Sequence, residues 1–315
     1  MLRNRSETGM LACLLSLLAG CAPASLSSAL GNAQGAAVPP GQVETGAHWA
    51  DIADFPTLQR LSYQFVITMV SPSHPEEWAM TFDAAAAASL KLIVGVYPPP
   101  YSLQGEEWTI SDAGKRFLRY AASRAALVKG IYVYNEPYWV NPFTKANDPC
   151  GAVSAERLRR LRSAIRLVWS EAQVFHDIGQ PAAWAPGGFL LREHPCIGDK
   201  YADPSGVADL VGLWFYPIEL ARDRRTEALA VLKREIAYVR ARMHAEPILA
   251  GQAFGCRTCD LTRMPTAREL RKWNCATRAL GPQAVSWYPW RQEGYDDYLS
   301  NHPELWSLTG PAACH

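Results

Sequence analysis

The chain reads as an α/β protein, specifically a (β/α)8 barrel, on three observations. Seven short runs, apolar on both faces, recur between Gln64 and Tyr288. Helically patterned segments of about 10–20 residues separate them, as parallel strands with helical crossovers require. Beyond the amino-terminal segment lie roughly 270 residues, the size of one such barrel. A doubly wound open sheet is the second choice, weakened because no glycine-rich phosphate loop comes after a strand.

Arg3 and Arg5 precede an apolar stretch, Met10 to Leu18, shorter than the ~20 residues that span a bilayer. Leu18-Ala19-Gly20-Cys21 is a small-residue cleavage pattern with cysteine at the first mature position. It resembles a bacterial lipobox, which implies cleavage before Cys21, acylation of its thiol and a membrane anchor there. Because Ala22 is not aspartate, the resemblance implies an outer-membrane lipoprotein. An ordinary export signal with an incidental cysteine is the alternative. From Ala22 to Val43 the sequence is small and polar without hydrophobic period, a flexible tether. The expected organisation is a signal over residues 1–20, a tether over 21–43 and one barrel domain over 44–315.

Within the barrel, Gln64–Val70 is a strand, with a helix after it near Glu76–Ser89. Lys91–Tyr97 is the next strand, stopped by Pro98, Pro99 and Pro100, and a helix comes next near Ser111–Val128. Gly130–Asn135 is a strand, and Ser154-Ala155-Glu156 opens a long helix to Glu171 with a capping serine and early acid. Ala182–Ala185 is a weaker strand. Asp209–Tyr216 is a strong one, ended by Pro217, with a helix over Arg225–His244. Pro247–Phe254, a helix over Thr266–Leu280 and a last strand, Ala284–Tyr288, complete the set. An eighth strand is expected within Thr45–Asp54.

Charge excludes some partners. The precursor carries 31 basic and 30 acidic residues, and removing Arg3, Arg5 and Glu7 with the signal leaves a formally neutral chain. No basic run points to nucleic acid. Six cysteines remain after Cys13 and Cys21: Cys150, Cys196, Cys256, Cys259, Cys275 and Cys314, enough for up to three disulfides of undetermined pairing. In an exported chain with no second CxxC, Cys256 and Cys259 read as structural. His176, His194 and His244 lack metal-ligand spacing, so no metal or cofactor is expected, and no HExxH, GxSxG or P-loop pattern occurs.

The chemistry lies at strand ends, where barrel sites form. Ile131-Tyr132-Val133-Tyr134-Asn135-Glu136-Pro137 resembles the fourth strand of clan A glycoside hydrolases. The resemblance implies that Glu136 is the general acid/base and that Asn135 holds a neighbouring sugar hydroxyl. Counting on, Ala182–Ala185 becomes strand five, Leu210–Tyr216 six, Pro247–Gln252 seven and Ala284–Tyr288 eight. Tyr216 keeps a family position on strand six, while Trp214 replaces a histidine. Trp287 falls where the eighth strand offers a stacking tryptophan. Tyr97, Tyr138, Trp139, Tyr288 and Trp290 also stand at or beyond strand ends, where flat rings can pack on sugar faces. Core filling is the alternative for each, and a plain turn is the alternative for Asn-Glu-Pro.

Further departures from the family fall on strand two, where Phe65–Val70 lacks the arginine often found there, and on strand seven. The family's nucleophilic glutamate ends strand seven, where this chain has Gln252, and an amide cannot attack an anomeric carbon as a carboxylate does. Three expectations stay open. Another rim carboxylate, Glu219 or Glu293, completes a catalytic pair; Gln252 orients a substrate group that attacks; or the cleft binds glycan without cleaving it. The expected function is a glycosidase acting on a polysaccharide or oligosaccharide. Its alternative is a non-catalytic carbohydrate-binding lipoprotein of envelope or exopolysaccharide handling.

Overall fold

The computed structural model describes residues 37–104, 107–135, 153–179, 203–215, 225–255, 263–291 and 297–314. Eight parallel strands close a barrel: β1 (Glu44–His48), β2 (Phe65–Val70), β3 (Lys91–Val96), β4 (Val128–Asn135), β5 (Val174–Gly179), β6 (Leu210–Phe215), β7 (Glu246–Gln252) and β8 (Ala284–Tyr288). Each pairs with its neighbour in sequence, and β1 pairs with β8 to close the ring. The chain therefore has the (β/α)8 architecture that its alternating pattern predicts.

Helices α1 (Phe55–Arg60), α2 (Pro75–Ala87), α3 (Asp112–Ser123), α4 (Ala155–Val168), α5 (Arg225–Tyr238) and α6 (Ala267–Ala279) lie between strands in sequence. Their starts reflect capping chemistry. Ser111 Oγ accepts the Gly114 amide at 3.1 Å and Ser154 Oγ the Arg157 amide at 3.2 Å. At α6, Thr266 and Glu269 exchange hydrogen bonds in a capping box. Two large apolar cores and a small cluster of Ala250, Phe254 and Tyr288 result among the described residues. Phe65, Ile67, Ile93, Phe175, Leu210 and Ile248 fill the barrel, while a larger layer packs between the barrel and its helices.

The seam between β1 and the carboxyl-terminal turns is polar and buried. Arg278 donates to Asn274 Oδ1, Val43 O, Thr45 Oγ1 and Thr309 O. The Trp287 indole also donates to Thr309 O, at 3.0 Å. A disulfide joins Cys275 of α6 to Cys314.

Two expectations change. The fifth strand is Val174–Gly179, not Ala182–Ala185, which lies outside the described residues. The polar pair His176-Asp177 interrupts the apolar run there, so the strand lacks the continuous hydrophobic signature of its neighbours. The end of the expected tether is also part of the fold. Val43 is buried, and the Val38 amide donates to Gly281 O.

Candidate functional site

Register determines which side chains look into the barrel. On β8, Ser286 and Tyr288 pair with Ala250 and Gln252 of β7, while Trp287 pairs with Gly251. Because side chains alternate along a strand, Ala250, Gln252, Ser286 and Tyr288 share the interior face and Trp287 turns outward. A Cβ on Gly251 would lie 2.7 Å from the Trp287 ring, so the glycine makes room for the indole outside the barrel. Trp287 is thus core, only 2 % exposed, and not the stacking surface its position in sequence implies. Trp290 is core as well, wedged between Tyr63 and Trp306 at ring separations of 5.7 and 5.4 Å.

At the carboxyl end of the barrel a cup is built from six strands. β1 contributes His48, whose ring lies edge-on to Tyr288 at 5.0 Å. Trp49 comes next with φ of 60°, a left-handed conformation costly for a bulky side chain. Its backbone is held on both sides: the Trp49 amide donates to Ile67 O, and Trp49 O accepts from the Arg291 amide. The indole is half-buried and stands 5.5 Å from His48 and 6.3 Å from Tyr132. Strained residues held this firmly concentrate at functional sites. Trp214 of β6, also half-buried, lies 5.3 Å from Tyr288 in a tilted pair, and Phe254 packs edge-on to Tyr288 at 5.8 Å. Gln252 ends β7 at 3 % exposure, with Nε2 3.4 Å from Phe254 O.

Asp177 of β5 forms part of the interior of this cup. It is 1 % exposed and accepts a hydrogen bond from the Tyr132 hydroxyl on Oδ2 at 3.0 Å. His48 Nε2 lies 3.6 Å from the same oxygen. Burial pushes His48 down to about 3, so its imidazole is neutral at physiological pH. Among the described residues neither of its ring nitrogens makes a hydrogen bond. On the adjoining strand, a Cβ on Gly212 would stand 1.7 Å from Asp177 Oδ1. β6 therefore gives up a side chain where the carboxylate needs the space.

The cup brings Trp214 and Gln252 together with Tyr288, His48, Trp49, Tyr132 and Asp177. Tyr97, just past β3, is 60 % exposed and stands apart as a rim residue. Asn135 ends β4 in register with Asp177. Glu136, Tyr138, Trp139, Tyr216, Glu219, Glu293 and Cys21 lie outside the described residues, as do Cys150, Cys196, Cys256 and Cys259. His48, Trp49 and Asp177 join the site from the structure and not from the sequence pattern. A strand ending in His-Trp, and Phe-His-Asp-Ile with alternating faces, are the signals that point to them.

Polar and aromatic side chains thus gather at the carboxyl ends of the strands of a closed parallel barrel. Solved glycoside hydrolases share the architecture. An exo-β-1,4-mannosidase from Opitutaceae bacterium strain TAV5 matches with a TM-score of 0.50 at 16% identity, covering 78% of this chain and 52% of that one. The chain thus spans about half the length of that mannosidase. The GH53 catalytic domain of Ignisphaera aggregans matches at TM-score 0.50 and 9% identity, over 79% of this chain and 85% of that one. An endocellulase from Pyrococcus horikoshii in complex with cellotetraose matches at 0.50 and 10%, over 84% and 92%. At these identities the likeness shows the fold alone. No protein-family model matches the chain, and no curated protein matches it by sequence.

Proposed function

We propose that this chain is an exported, lipid-anchored glycosidase that hydrolyses a polysaccharide or oligosaccharide at the carboxyl end of its barrel, with Glu136 as general acid. The observation that carries this reading is the end of β4. The chain reaches Asn135 at the barrel rim, in register with Asp177 and beside an aromatic cup, one residue before Glu136. Trp49 and Trp214 offer flat faces on which the C–H face of a pyranose packs, and the polar groups between them can take its hydroxyls. Glu136 then passes a proton to the leaving glycosidic oxygen as the bond to the anomeric carbon lengthens.

A second reading is that the same cup holds glycan without cleaving it. Gln252 favours it, since the strand-seven position that carries the nucleophile in clan A enzymes is an amide here. Release of reducing ends from cello-, manno- and laminari-hexaose separates the two. The glycosidase reading expects cleavage by wild type and its loss in Glu136→Gln with binding kept. Undiminished cleavage by Glu136→Gln removes Glu136 from the mechanism. Binding without cleavage selects the second reading, and neither binding nor cleavage refutes both.

A further inference from the structure

We propose that the cleft between α6 and the carboxyl-terminal turns is a binding site for a phosphate monoester on an uncharged body, as in a sugar phosphate or the headgroup of phosphatidic acid. The site shares no residue with the aromatic cup and does not depend on the glycosidase reading.

The sequence of α6 sets up the charge. Arg268, Arg271 and Lys272 fall at i, i+3 and i+4, so they share one exposed face of the helix, and Cys275 continues that face one turn on. Like charges at this spacing repel, and the first turn of a helix, where Arg268 stands, disfavours a cation. The three residues therefore cost α6 electrostatic stability. Its one early acid does not relieve them. Glu269 is committed to Arg263 through two hydrogen bonds of 2.7 Å and to the amide of Thr266. Among the described residues Arg268 and Arg271 make no ion pair or hydrogen bond, while Lys272 Nζ rests over the Trp273 ring, 4.7 Å from its centroid.

Packing turns this charged face into one wall of a cleft. The turns Pro303–Leu308 and Pro311–Cys314 follow β8, and the Cys275–Cys314 disulfide ties the second of them to the helix. The cleft between has a volume of about 580 Å³. Arg268, Arg271 and Lys272 line it from the helix, and Leu308, Ala313 and Cys314 line it from the turns. Among the described residues no acidic side chain lines it.

Charge and shape select the ligand. A phosphate monoester carries about −1.5 to −2 charge at pH 7 and three strong acceptor oxygens. That suits two planar guanidinium forks and an ammonium point charge. A carboxylate brings a single charge and two oxygens, and leaves cations unmatched. The phosphate fills only part of the volume. The remainder, against Leu308, Ala313 and the disulfide, takes a glycerol or a sugar ring whose C–H groups face the apolar wall.

Isothermal titration of the full chain with glycerol 1-phosphate is expected to show saturable binding, with glycerol inert. Arg268→Gln together with Arg271→Gln is expected to weaken that binding at least roughly tenfold. Arg116→Gln with Arg119→Gln removes the same charge from an exposed face of α3 and is expected to leave binding unchanged. Ala313→Trp, which fills the cleft and keeps every charge, is expected to weaken binding as well. Co-sedimentation with phosphatidylcholine vesicles, with and without phosphatidic acid, separates the two sources of phosphate. Capture by the phosphatidic acid vesicles alone, reversed by glycerol 1-phosphate, assigns the headgroup. Binding of glycerol 1-phosphate without capture assigns a soluble phosphorylated ligand. No saturable binding of glycerol 1-phosphate overturns the proposal. So do unchanged binding in the α6 double variant, equal losses in the α3 and α6 double variants, or glucuronate binding as tightly as glycerol 1-phosphate.

Discussion

Glu235 lies on the buried side of α5 and offers a direct measure of what an isolated carboxyl costs this barrel. Its side chain is 2 % exposed, and among the described residues its Oε1 has no hydrogen-bond partner. Burial raises it from 4.5 to about 8, against a smaller opposing effect of Arg234. The folded chain thus holds this proton far more tightly than the unfolded chain, so the contribution is full below pH 4.5. It declines as pH rises and is gone above pH 8. That interval corresponds to a ceiling of about 5 kcal/mol. Glu235→Gln has nearly the same shape and does not titrate. Urea unfolding at pH 4 and pH 9 is expected to show wild type and variant close together at the lower pH. At the higher pH the variant should be more stable by a few kcal/mol, worth roughly 5–15 °C in melting temperature for a domain of this size. A variant no more stable than wild type at pH 9 would refute the placement of this carboxyl in the core.

Two further outcomes are expected. The Cys275–Cys314 bridge closes a separation of 39 residues, which in the chain-entropy view contributes about 4 kcal/mol. Cys275→Ser paired with Cys314→Ser should therefore melt roughly 10 °C below wild type, and an unchanged melting temperature would contradict that contribution. At Trp49 the left-handed backbone penalises every side chain with a Cβ, so Trp49→Gly should be more stable than Trp49→Ala by about 1 kcal/mol. Equal stability of the two variants in chemical denaturation would remove the strain argument.

How legible each part of the fold is depends on how continuous its signal is. β2, β3, β6, β7 and β8 are predominantly apolar runs, and the chain folds as they predict. β5 is not: His176 and Asp177 break it, so the apolar pattern points to a later stretch for the fifth strand and hides the buried carboxylate. Gly212 is a second trace of the same fact. A glycine inside an otherwise bulky strand marks a close approach, and the group approaching it is Asp177. Face is the other hidden quantity. Trp287 and Tyr288 look equally suited to a sugar in the sequence, and a strand admits only one of them to the interior. The pairing of Tyr288 with Gln252 decides which. Tertiary register, which no local pattern encodes, makes that choice.

On the glycosidase reading a pyranose sits inside the carboxyl end of the barrel, between Trp49 and Trp214 and above Asp177. A crystal structure of the Glu136→Gln chain soaked with cello-, manno- and laminari-hexaose tests it most directly. A sugar ring stacked on at least one of the two indoles is expected, with a hydroxyl or an ordered water on the Asp177 carboxylate. Sugar bound elsewhere on the protein, with the cup closed to it, would contradict the claim.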